Sequence, residues 1–442
     1  MPQQLRHDTV KAIKDKKIEF IHLWFTDVLG FLKSFTIDVE ELELAMTEGM
    51  GFDGSSIQGF ARIQESDMIA MPDPSTLQIL PWRQKGVLVA TMFCDIVRPD
   101  GTPYDADPRR VLKRNLERAE ALGFTMYVGP ELEYYYLKSD REPEVLDLGT
   151  YFDQTTRDLA IDLRMDTVRQ LKRFGIQVEY SHHEVGPSQH EIDLRYAEAL
   201  SMADKVMTYR VVVKEVAQAN GVYATFMPKP IYGEAGSGMH VHQSLFKDGR
   251  NAFYDAEDPF HLSAIAKSYI AGILHHARGM CAVTNQWVNS YKRLVSGYEA
   301  PVYICWAHRN RSALVRVPMY KPGKENATRI ELRSPDPACN PYLAFSVMLA
   351  AGLNGIEKGM TLPDDVTDDV YEMSDARRAE LGIGQLPGDL DEAIVAMEES
   401  ELVREALGEP VFNWFLRNKK AEWMRYHTRV TPFELEEYLP LL

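Results

Sequence analysis

The chain has 442 residues, with 49 Lys plus Arg against 65 Asp plus Glu and a net charge of −16. That length can hold two domains with large cores, and that charge disfavours nucleic acid or an anionic membrane as a partner. Cys94, Cys281, Cys305 and Cys339 show no CxxC spacing, the N-terminus has no apolar h-region, and no apolar run approaches the ~20 residues of a membrane span, so a reducing cytoplasmic setting is expected.

In chain order, residues 1–16 suggest an amphipathic helix. Residues 17–25 and 31–37 read as a hairpin, and 39–47 as a helix closed by Gly49. The loop 51–60, containing Asp53 and Ser56, is rich in Gly and Ser and on its own reads as an ordinary turn. Strands follow to Cys94, and the turn-rich stretch 98–103 ends a first α+β unit. The expected domains are 1–102 and 103–442.

The second unit opens with a helix that has Asp107 as N-cap, Pro108 at its first position and Gly123 at its end. A strand over 124–137 puts Glu131 and Glu133 on one face by its period of two. A helix over about 155–174 leads to two strands joined at Gly186-Pro187, where Gly186 tolerates positive φ and Pro187 fixes φ at about −65°. Those strands can deliver Glu184 and Glu191 to one place, with Gln189 and Asp193 on the face of Glu191. A solvated acidic hairpin would carry the same pattern. Further helices are expected over 203–220, 261–281 and 341–358. Between them, strands over 236–244 and 327–333 align His240, His242 and Ser244 on one face, and Arg329, Glu331 and Arg333 on another. Residues 360–395 read as surface connection. Residues 402–442 read as helical, with an aromatic and leucine tail suited to docking on another subunit or packing on its own domain. Strands this polar argue for α+β with antiparallel strands rather than a parallel core.

Four strands with charged faces suggest a sheet curved around a metal-loaded site. A donor set of glutamates with one histidine favours Mg²⁺ or Mn²⁺ over zinc. The neighbouring arginines match an anionic substrate, and the combination suits phosphoryl transfer. No Walker A pattern occurs, and Gly236-Ser237-Gly238 lacks the third glycine of a dinucleotide fingerprint.

The segments FDGSSIQGF, GPELEYY, HHEVGPSQHEID, GSGMHVHQS, NSYKR and RIELRSPDPACNPYLAF, in this order, resemble glutamine synthetase of type I over essentially the whole chain. The resemblance is to the alpha-like subtype. It implies an N-terminal β-grasp domain and a larger catalytic domain with an antiparallel, barrel-like sheet flanked by helices, as in guanidino kinases. It implies ATP-dependent ligation of ammonia to L-glutamate through γ-glutamyl phosphate, with two divalent cations, in a cytoplasmic dodecamer of two hexameric rings with sites between subunits. By motif, Glu133, Glu184 and Glu191 match one metal site, and Glu131, His240 and Glu331 the other. His242, Ser244, Arg316 and Arg329 match ATP contacts, with Glu179 and Tyr196 on the adenosine side. Gly236, Arg293, Arg311 and Arg333 match the surroundings of glutamate and the transferring phosphoryl group. Glu299 matches a flap residue that accepts a proton. Asp53, supported by Ser56, matches the residue that deprotonates ammonium in a neighbouring subunit's site. Arg62 resembles an arginine tied to glutamine feedback, and a nitrogen-regulatory protein is a possible partner. No adenylylation is expected at Tyr371.

Two departures leave the amine open. Ala235 stands where the family usually has Asn, and the segment 318–326 is longer than in the simplest type I enzymes. Loss of that amide bears on recognition of the amino-acid end, and the longer segment resembles a branch that includes γ-glutamyl-amine (polyamine or ethanolamine) ligases, whereas Asp53, Ser56 and Glu299 argue for ammonia. A dinuclear metallohydrolase, a guanidino kinase and a nonenzymatic scaffold are the rival classes. The first would not need Asp53 or the arginines, the second would move phosphate without ammonia, and the third would tolerate loss of ligands.

Overall fold

A computed structural model describes residues 3–57, 59, 66–82, 86–154, 156–297, 300–308, 310–320 and 323–442. Arg62 and Glu299, and the side chain of Ser56, lie outside what is described.

Helix α1 (Gln3–Asp15) leads into β1 (Ile18–Thr26) and β2 (Leu32–Asp38). Helix α2 (Leu42–Glu48) buries Leu42, Ala45 and Met46, spaced three and four apart along one face. Gly49 ends it at φ 79°. Then come β3 (Met50–Asp53), β4 (Asp67–Pro72), β5 (Gln78–Ile79) and β6 (Leu88–Val97). The first sheet has the order β2-β1-β6-β4-β3, with β5 on β6, and its central pair β1/β6 is parallel. Ile21, Leu23 and Phe25 of β1 pack into a small core with Ala90 and Met92, while Trp24 and Phe93 face the main core. This is a β-grasp unit.

Helix α3 (Pro108–Ala121) is capped by Asp107, whose Oδ1 accepts from the Arg109 N–H at 3.0 Å. After it come β7 (Thr125–Leu137), α4 (Ile161–Arg173), β8 (Val178–His183), β9 (Gln189–Leu194), β10 (Ala197–Glu198), α5 (Ala199–Ala219) and β11 (Tyr223–Thr225). They are followed by β12 (Met239–Lys247), β13 (Arg250–Asn251), α6 (Ala264–Thr284), α7 (Ser290–Arg293), β14 (Tyr303–Ile304), β15 (Trp306–His308), β16 (Val315–Val317) and β17 (Ile330–Leu332). Helix α8 (Pro341–Glu357) packs against α6 where Gly272 meets Gly355; a Cβ on Gly272 would lie 2.2 Å from the Ala351 carbonyl oxygen. The C-terminal part holds α9 (Asp375–Glu380), a short strand β18 (Gly384–Gln385) paired with β14, α10 (Leu390–Glu398), α11 (Glu401–Leu407), α12 (Glu409–His427) and α13 (Pro432–Tyr438).

The second sheet runs β15-β16-β17-β12-β7-β9-β8, with β10 and β11 on β7 and β13 on β12. It is antiparallel except for β15/β16, and it curls as a half-barrel. Helices α5, α6 and α8 cover its apolar face in one large core.

Three local expectations are corrected. Gly186 does not use the positive φ that glycine tolerates; the left-handed residue of that turn is Ser188, at φ 61°. Glycine is needed at 186 for space, because a Cβ there would lie 2.2 Å from Tyr135 Oη. Helix α4 begins at Ile161 rather than near 155, and α5 begins at Ala199 rather than 203. The connection over 360–395 contains α9 and the start of α10.

Candidate active site

The polar face of the second sheet is a ladder. On neighbouring strands β7 and β9, Glu131 pairs with Asp193, Glu133 with Glu191 and Tyr135 with Gln189. Because side chains alternate, all six lie on one face. The other face of β9 carries His190, Ile192 and Leu194, so the strand is buried on both sides. Strand β12 continues the surface, with His240 opposite Glu131. Glu331 of β17 stands opposite His242, and Arg316 of β16 stands opposite Glu331.

The two sides of the ladder differ in charge balance. Glu131 Oε1 meets His242 Nε2 at 2.6 Å and its Oε2 meets His240 Nδ1 at 3.3 Å. Burial opposes its ionisation, yet the two imidazoles hold Glu131 well below the usual carboxylate range. Glu331 accepts from Arg333 Nη1 and Arg316 Nη1, each at 2.6 Å. Burial opposes its ionisation too, yet the Arg333 guanidinium and the two histidines hold its carboxyl below the ordinary value. Glu191 is pushed well above its ordinary value by burial, by Asp193 and by Glu133. Asp193 is pushed up to about 7, chiefly by burial, with Glu131 adding to the rise. His182 Nε2 lies 3.4 Å from Glu191 Oε1, and Glu184 Oε2 accepts from the Val185 N–H at 2.7 Å.

Donor atoms of Glu131, His242 and Glu331 fall within 4.8 Å of one another, as do those of His182, Glu184 and Glu191. The residues fit hard divalent cations, because oxygen donors dominate and crowded buried carboxylates such as Glu191 and Asp193 are costly without added positive charge. A third group, Asp147, His183 and His190, is buried behind these strands. There His190 Nδ1 faces Arg164 Nη1 at 2.9 Å, so that nitrogen accepts and the group reads as internal support.

A cleft of about 310 Å³ is lined by Glu131, Glu179, Tyr180, Asp193, Tyr196, His242, Ser244 and Arg329, with Tyr127 at the aromatic end. Tyr127 and Tyr196 meet edge to face at 5.8 Å. Arg329 Nε donates to His242 Nδ1 at 3.1 Å. A smaller cavity of about 40 Å³ is lined by Glu133, Glu184, Gln189, Ala235, Gly236, His240, Arg293 and Arg333. Arg293 Nη1 donates to the Ser334 and Pro335 carbonyls at 2.6 and 3.2 Å, and its Nη2 to the Arg333 carbonyl at 3.1 Å, so much of this guanidinium holds backbone. Arg311 is exposed, beside Tyr151. Asp53 is exposed on β3, the edge strand of the first sheet, and lines neither cavity.

Sequence reasoning missed His182, Gln189 and Asp193 as site residues, and Tyr127 and Tyr180 in the cleft. The period-two pattern carried a signal for the first three, since Gln189 and Asp193 share the face of Glu191 and His182 that of Glu184.

Residues 17–99 match the family described as glutamine synthetase, beta-Grasp domain, and residues 105–438 match glutamine synthetase, catalytic domain. A glutamine synthetase of Mycolicibacterium smegmatis is 56% identical, covering 98% of this chain and 98% of that protein. One of Methanosarcina mazei is 52% identical, covering 99% and 98%. Among solved structures, a GmaS/ADP complex is 32% identical with a TM-score of 0.88, covering 98% of this chain and 99% of that one. A Plasmodium falciparum glutamine synthetase is 25% identical with a TM-score of 0.88, covering 98% of each. A conserved order of domains, a half-barrel carrying the carboxylate ladder and matches along nearly the whole chain converge on one statement: this chain belongs to the glutamine synthetase family.

Proposed function

We infer that this chain is an ATP-dependent glutamate–ammonia ligase, converting L-glutamate, ammonia and ATP to L-glutamine, ADP and phosphate through γ-glutamyl phosphate. The observation that carries this reading is the carboxylate ladder, set between a nucleotide-sized cleft and a small polar cavity, in a chain 56% identical to a glutamine synthetase. The alternative γ-glutamyl-amine ligase is not favoured. Curated relatives at 56% and 52% identity bear the name glutamine synthetase. At Ala235 the visible contact is made by the backbone carbonyl, which any residue supplies.

Hydroxide is a poor leaving group, so the γ-carboxylate must first be activated by phosphorylation. Glu133, Glu184 and Glu191 would hold one divalent cation, with His182 beside them, and Glu131, His240 and Glu331 the other, with His242 within reach. Mg²⁺ or Mn²⁺ bound there would offset charge on the ATP phosphates and the transferring phosphoryl group. Arg316, Arg329, His242 and Ser244 would bind ATP phosphates and ribose, with Glu179 and Tyr196 flanking the adenosine. Arg311 and Arg333 would draw in glutamate and steady the phosphoryl group, while Arg293 shapes the Gly236 pocket. Glu299 would close over the acyl phosphate, exclude water and take a proton as the adduct collapses.

Asp53 of one subunit would deprotonate ammonium in its neighbour's site, with Ser56 in support. Its exposed place on an edge strand, outside both cavities, suits that role. We place the domain division at 1–102 and 103–442 and the assembly at a dodecamer of two hexameric rings. The exposed Phe433, Leu439, Leu441 and Leu442 offer apolar surface for such packing. Among the described residues no helix is long and apolar enough to cross a membrane. A cytoplasmic location, feedback through Arg62 and a nitrogen-regulatory partner complete the proposal.

The test is phosphate release from ATP with Mg²⁺ and glutamate, comparing ammonium with putrescine, spermine and ethanolamine. Ammonium-dependent release is expected. Release with organic amines alone would move the function to γ-glutamyl-amine ligation, and release without glutamate would sink the glutamate pocket.

A further inference from the structure

The third rung of the ladder, Tyr135 opposite Gln189, has no part in the reaction as set out above. Both residues are buried, at 0% and 1% exposure. The Gln189 amide bonds to three different segments. Its Oε1 accepts from the Gly186 N–H at 3.0 Å, and its Nε2 donates to Glu133 Oε2 at 3.0 Å and to the Gly236 carbonyl at 3.1 Å. That pattern fixes the orientation of the amide, because a flip would set its oxygen against two acceptors. Tyr135 Oη donates to the Ala235 carbonyl at 2.6 Å, and the Gly238 N–H donates to Glu133 Oε2 at 2.8 Å. The segment 235–238 is thus tied at three points, one of them directly to a proposed cation ligand. Gly186 completes the fit, since a Cβ there would press on Tyr135 Oη and lie 2.9 Å from Gln189 Oε1. With Oε2 of Glu133 committed to protein donors, Oε1 remains for a cation.

We propose that Gln189 and Tyr135 form a positioning clamp that fixes the glutamate-side loop 235–238 to Glu133 and so couples glutamate binding to cation binding. The proposal rests on the reading of Glu133 as a cation ligand and Gly236 as part of the glutamate pocket. A pair that merely filled space would lower stability without separating one ligand from another. The clamp touches the small cavity and Glu133, and none of its bonds reaches the nucleotide cleft.

The experiment uses the assembled full-length enzyme and its Gln189→Met variant, which keeps side-chain length and loses the amide. Three quantities are measured: Mn²⁺ affinity by electron paramagnetic resonance, glutamate KM and kcat by phosphate release, and ADP affinity at saturating Mn²⁺. Outer-shell partners of metal ligands are worth 10–100-fold, so the Mn²⁺ dissociation constant and glutamate KM should each rise by about tenfold, with ADP affinity unchanged and kcat altered by less than about threefold. Tyr135→Phe loses one neutral hydrogen bond and should raise glutamate KM by about fivefold. The clamp is overturned if either Mn²⁺ affinity or glutamate KM stays at the wild-type value in Gln189→Met, or if ADP affinity falls in step with them. Should Gln189→Met fail to assemble, an unchanged glutamate KM in Tyr135→Phe overturns it. A wild-type enzyme without glutamate-dependent turnover would sink the functional reading instead, and the Mn²⁺ comparison would still judge the clamp.

Discussion

Two regions of this molecule bury several charges, and they do so differently. At the joint between the sheets, Arg109 is saturated by its own chain. Its Nε and Nη2 donate to Asp204 at 3.1 and 3.0 Å, its Nη1 to Asp95 at 2.6 Å, and its Nη2 also to Asp73 at 2.8 Å. Asp204 accepts in turn from the Tyr342 hydroxyl at 2.6 Å. Burial works against Asp73, yet Arg109 beside it holds its carboxyl below the ordinary value. On the ladder, by contrast, burial raises both Glu191 and Asp193, with Asp193 adding to the rise at Glu191 and Glu131 to the rise at Asp193. Buried charge that is complete within the chain supports the fold. Buried charge that is short of a counter-ion marks where ligands bind.

This contrast is sharpest in activity. Glu133→Ala or Glu331→Ala should lower turnover by at least about 10³-fold with the oligomeric state unchanged, because each removes a proposed cation ligand from the transferring group. Size-exclusion chromatography beside phosphate release checks both halves. Wild-type turnover in either variant would remove that ligand from the site.

At the joint the effect should fall on stability. Arg109→Met strands the buried carboxylate of Asp204 and the half-buried ones of Asp73 and Asp95, and should cost ~3–5 kcal/mol of unfolding free energy, with turnover per folded molecule retained. Denaturant unfolding measures it. A variant as stable as wild type would show that the joint does not depend on its buried arginine.

Cation binding should separate the regions by a smaller amount. Mn²⁺ added to EDTA-treated enzyme at ~100 times its dissociation constant should stabilise it by ~2.7 kcal/mol. Thermal melts should show this gain in wild type and in Arg109→Met, but little of it in Glu133→Ala.

The smallest effect is a pH dependence at the joint. Asp107 is pushed up to about 7, first by burial and then by Asp95. Its folded value lies above the ordinary value of 3.8, so the neutral form is the one the fold favours. Its contribution is therefore fully present below the unfolded value and is lost as pH rises through about 7. Between pH 5 and 8 the wild-type Tm should fall relative to Asp107→Asn by a few degrees. Parallel Tm curves for the two proteins would contradict this.

Much of this architecture is legible in the residues themselves. Alternation along 124–137 and 189–193 puts Glu131, Glu133 and Glu191 on polar faces, and the Asp107-Pro108 start of α3 is as expected. Strand register is not legible, because which residue of β9 meets Tyr135 depends on long-range pairing. The places of Gln189 and Asp193 therefore follow only from the pairing of β9 with β7. The need for glycine at 186 is hidden for the same reason, since its constraint comes from Tyr135 across the sheet rather than from its own φ. The bonds of Arg293 to three carbonyls are not legible either, because they come from chain segments that the sequence does not align.

The central claim is that ATP activates the γ-carboxylate of glutamate on this surface. It is tested most directly with glutamate labelled with ¹⁸O in that carboxylate, turned over with ATP, Mg²⁺ and ammonium. Through γ-glutamyl phosphate, one labelled oxygen leaves with each phosphate, and mass spectrometry of the released phosphate should find it there. Phosphate formed at the same rate but without ¹⁸O would mean that water takes the phosphoryl group, and the account would be wrong at its first chemical step.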